Sequence, residues 1–119
     1  MLCYENERPP QGALGILDWR FGGHFTSLLK NQTLTGTVGE ILYSPVKWNE
    51  DTYHFLIVGA GSLPDSGLRP SFSKNLLTQA LTRVDHLKLE NLGISRSDWQ
   101  LQNDQTVPEL ETRKIWILN

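Results

Sequence analysis

Residues 53–61, Tyr-His-Phe-Leu-Ile-Val-Gly-Ala-Gly, constrain this chain more than any other stretch. The uncharged run Phe55-Leu56-Ile57-Val58 suits a strand buried on both faces. Such a strand needs helices above and below its sheet, which sets the fold class as α/β. Gly59 and Gly61 end the strand with backbone that can turn sharply or let another segment come close.

The remaining segments read as material to flank that strand. Residues 2–4 are a short apolar touch, and 5–11, with Pro9-Pro10, form an extended connector. A first helix is expected over 18–30, capped by Asp18, with Phe21, Phe25, Leu28 and Leu29 on one face. Gly22-Gly23 conflicts with it, costing roughly 1 kcal/mol per residue relative to alanine. Either the helix packs closely on a neighbour there or it begins later. A polar loop over 31–35 precedes a strand over 38–43, which Pro45 closes. Residues 46–51 then form a turn carrying Trp48, and 62–70 form a loop.

The strongest periodic signal is a second helix, capped by Ser71 or Ser73. Phe72, Leu76, Leu77, Ala80, Leu81, Val84 and Leu87 line one face, and Gly93 marks its C-terminal end. Beyond it, 99–102 suggest a strand, 103–108 a turn, and 114–118 a terminal strand. Together these elements predict a mixed sheet with helices packed on it, in one domain over 1–119.

Composition narrows the function. A formal charge of −2 supplies no electrostatic footprint for nucleic acid or an anionic membrane. No apolar run approaches the roughly 20 residues of a membrane helix, and the N-terminus lacks the basic and apolar regions of a secretion signal. Cys3 is the single cysteine, so neither an internal disulfide nor a cysteine-based metal site is expected. A cytoplasmic location is the expectation.

Gly59-Ala60-Gly61 after an apolar strand invites a dinucleotide reading, but Pro64 stands where the fingerprint needs its third glycine. About ten residues of loop also separate it from the next helix. A turn needing permissive backbone is favoured. The competing reading is a small-ligand loop, for a nucleotide or other anion, formed by Gly59, Gly61 and Ser62 at the carboxyl end of the strand. His24, His54 and His86 have no metal-ligand spacing, and neither a nucleophile elbow nor a phosphate loop occurs. No catalytic residue, metal or cofactor is assigned. Asp18-Trp19-Arg20 could contact an anion, but capping gives Asp18 a sufficient reason to stand there, with Arg20 in an aromatic or carboxylate contact. Trp19, Trp48, Trp99 and Trp116 form no stacking stripe. Exposure of one of them would hint at an interface.

Glu7-Arg8-Pro9-Pro10, then Ala13-Leu14-Gly15-Ile16-Leu17-Asp18-Trp19-Arg20, then Gly36 to Glu40 and the strand ending Gly59-Ala60-Gly61 form a further pattern. Over residues 5–93 it resembles the N-terminal domain of the leucyl (cytosol) aminopeptidases. The resemblance implies a macro-domain-like three-layer α/β/α fold and a non-catalytic part in assembly around a hexameric peptidase. In that family the two-metal chemistry lies in a separate C-terminal domain with an Asn-Thr-Asp-Ala-Glu-Gly-Arg signature, and nothing in this chain matches it. The macro fold also implies ADP-ribose binding, for which the loop Ser62-Leu63-Pro64-Asp65-Ser66-Gly67 is a poor match. The sequence therefore reads as a non-enzymatic interaction domain, acting through self-association or a protein partner that could itself be an aminopeptidase.

Overall fold

The computed structural model describes residues 1–66, 74–88, 91–99 and 114–118. Its contacts gather into two units, Met1–Pro70 and Ser71–Asn119.

The first unit is built on a three-stranded mixed sheet. Strand β1 (Leu2–Tyr4) lies parallel to β3 (Asp51–Gly61), and β2 (Ile41–Trp48) lies antiparallel to it on the other side. The 53–61 stretch is thus the middle strand of its sheet. Burial follows the chain chemistry along β3: residues 51–54 are exposed, whereas Ile57, Val58 and Gly59 are buried. Helices α1 (Gly12–Arg20) and α2 (His24–Lys30) supply the core, in which Leu14, Phe25, Leu29 and Leu34 pack with Cys3 and Ile57. Phe25 has no exposed surface, and truncating a phenylalanine so placed costs about 3–5 kcal/mol. Burial pushes the Cys3 thiol up to about 11, against a smaller downward pull from Arg8.

Three expectations for this unit are corrected. The helix expected over 18–30 is two helices, because Gly22 (φ 64°) and Gly23 (φ 83°) take the left-handed conformation and reverse the chain. The glycine pair that looked costly inside one helix is the break between two. The strand expected over 38–43 begins at Ile41 and continues through Pro45 to Trp48. Pro45 sits opposite His54 on an edge strand, where a missing N–H is tolerated. The turn is accordingly shorter than 46–51. Trp48 pairs with Asp51, leaving Asn49 and Glu50 (φ 51° and 72°) as a two-residue hairpin turn of the type that matches strand twist.

The second unit comprises α3 (Lys74–Leu87), β4 (Asn91–Ser95), α4 (Arg96–Trp99) and β5 (Lys114–Leu118), with β4 and β5 paired in parallel. The periodic face of α3 is as read: Leu77, Ala80, Leu81 and Val84 are buried. Its end is not. The helix stops at Leu87, Lys88 (φ 54°) takes the left-handed position, and Gly93 lies inside β4. Trp99 closes α4 instead of opening a strand, and it is buried. The terminal strand over 114–118 is present. Ser71, Phe72, Ser73 and residues 100–113 lie outside the described residues. The two units establish an α/β fold. Among the described residues, no helix is long and apolar enough to cross a membrane.

Candidate functional site

The glycine end of β3 is filled by the chain itself. A Cβ at Gly59 would lie 1.9 Å from the Thr37 carbonyl oxygen, and one at Gly36 (φ 87°) would lie 2.7 Å from the Tyr4 carbonyl carbon. The loop over residues 35–40 therefore crosses the strand end at backbone-to-backbone distance. Its own shape is held by Glu40, whose carboxylate accepts the N–H groups of Thr35 (3.1 Å) and Gly36 (2.8 Å) and the Thr35 hydroxyl (3.0 Å). The Gly59 N–H donates to the Glu40 carbonyl (2.7 Å) and the Gly61 N–H to the Gly36 carbonyl (2.8 Å). An anion cradle needs convergent unused amides. Here those of Gly59 and Gly61 are committed to main-chain partners. Ser62 donates to the Glu5 carboxylate (3.0 Å), beside Asn6, which bonds both the carbonyl and the N–H of Leu63 (3.0 and 2.7 Å). These contacts tie the segment after β3 to the segment after β1.

Asp18 caps a helix, though not its own. From the last turn of α1 its two carboxylate oxygens accept the Thr26 N–H (2.7 Å) and the Thr26 hydroxyl (2.6 Å), in the first turn of α2. This satisfies an otherwise orphaned donor and places negative charge at the positive end of that helix. Arg20 ends α1 and is exposed.

The structure brings together one serine–histidine pair that spacing in the sequence did not suggest. His24 Nε2 lies 3.0 Å from the Ser44 hydroxyl, joining α2 to β2, and Ser44 is buried. His54 stacks on Tyr43 and is hydrogen bonded to its hydroxyl at the exposed sheet face. His86 is exposed on α3. Among the described residues, no group of three or more histidine, cysteine, aspartate or glutamate side chains is placed to hold a metal ion.

Two surface features carry large apolar side chains. On the hairpin, Phe21 meets Trp48, Tyr53 and Phe55 edge-on, with ring centroids 5.6, 5.3 and 5.1 Å away. Half-exposed Trp48 and Tyr53 are thereby partnered within the fold. On α1 the situation differs. Gly12, Gly15, Ile16 and Trp19 recur at the spacing of one helix face. With Pro10 and Gln11 they line an open groove of about 500 Å³. Ile16 is 66% and Trp19 84% exposed. The groove exists because the connector can approach the helix: a Cβ at Gly15 would lie 2.3 Å from the Pro10 carbonyl oxygen. None of the six lining residues ionises, so this surface can bind by shape and apolar contact but supplies no acid, base or nucleophile.

Reasoning from sequence reached Trp19 only as part of the Asp-Trp-Arg triplet and did not place Ile16 or Pro10 beside it. The available signal was the 12, 15, 16, 19 periodicity, obscured by starting the helix at residue 18. No protein-family model and no curated protein matches this chain.

Proposed function

We propose that this chain is a non-enzymatic interaction domain, similar to the N-terminal domain of leucyl aminopeptidases and macro-like in fold, which works in the cytoplasm by docking protein at the α1 groove. The observation that carries this reading is Trp19. An indole left 84% exposed at the rim of a groove floored by glycine has a large apolar surface still to bury. Tryptophans of this kind are typical anchors of protein interfaces, where truncation costs about 2–4 kcal/mol of binding. The non-ionising lining suits docking and offers nothing to a reaction.

The test is light scattering on the purified protein together with affinity capture from cell extract, for the wild type and Trp19→Ala. The reading expects a defined oligomer or a specific bound protein that the variant loses while its melting temperature stays unchanged. Assemblies identical in the two proteins, or a wild type that is monomeric and captures nothing, would overturn it.

A further inference from the structure

We draw no further inference here: the strongest candidate, the open groove along α1 beside exposed Ile16 and Trp19, is an apolar surface patch, and nothing in the structure shows what covers it.

Discussion

The first unit has two surfaces where a glycine lets backbone come close, one closed over by the chain and the other with a groove left open beside it. At Gly36, Gly59 and Gly61 the missing side chains make room for the chain itself: the 35–40 loop lies on the strand end, and its carbonyls take the glycine amides. At Gly15 the missing side chain makes room for the Pro10 carbonyl, and beside it a groove stays open under an exposed tryptophan. Both look alike in the sequence, as a Gly-x-x-Gly and a Gly-x-Gly. A glycine declares that something approaches closely, and the tertiary fold decides whether the approaching segment is already present.

The sharpest way to break this contrast is to fill each surface in turn. Gly59→Ala puts a methyl 1.9 Å from a backbone oxygen that Glu40 helps to fix, so we expect a loss of about 3 kcal/mol or more in urea unfolding. A loss below about 1 kcal/mol would mean that the loop yields easily and that the strand end is not a locked contact.

Cys3, in the core beneath that loop, gives a pH handle on the same end of the sheet. Its thiol ionises at about 11 when folded against an ordinary value of 9.0, so between these values the unfolded chain has lost the proton that the folded chain keeps. Stability is fully present below pH 9.0 and falls as pH rises toward about 11, by about 2 kcal/mol for this group. Denaturation midpoints for wild type and Cys3→Ala across that range measure it, and a parallel pH dependence in the two would exclude the thiol as its source. A thiol reagent should likewise label Cys3 at the rate of unfolding, since the side chain is 1% exposed.

Asp18→Ala removes two hydrogen bonds that join α1 to α2 and should cost about 1–2 kcal/mol. Thermal melting checks this, and an unchanged midpoint would show that the Gly22-Gly23 reversal holds the two helices without the cap. The smallest effect belongs to the open surface. Trp19→Ala should change stability by no more than about 0.5 kcal/mol, because the indole is 84% exposed. A large loss would place Trp19 within the fold's own packing and erase the contrast with Gly59.

The sequence by itself determined whatever depends on local pattern. The uncharged run at Phe55–Val58 had to be an inner strand, the spacing of Leu77, Ala80, Leu81 and Val84 had to be a buried helix face, and 114–118 had to be extended. Asp18 was expected to cap a helix beginning at its own position, whereas it stands in the last turn of α1 and its carboxylate caps α2. Which helix it caps was decided by the chain reversal at Gly22-Gly23, and that depends on where α1 meets the sheet. The tertiary structure also decided that Pro45 stays within a strand, because only the strand order makes β2 an edge. It brought His24 to Ser44, twenty residues apart, across two elements. It closed the glycine end of β3 with the 35–40 loop and left a groove open along α1 beside Gly15. The physical reason is common to all of these: periodicity and propensity act over a few neighbouring residues, whereas occupancy of a space is settled by segments distant in the chain.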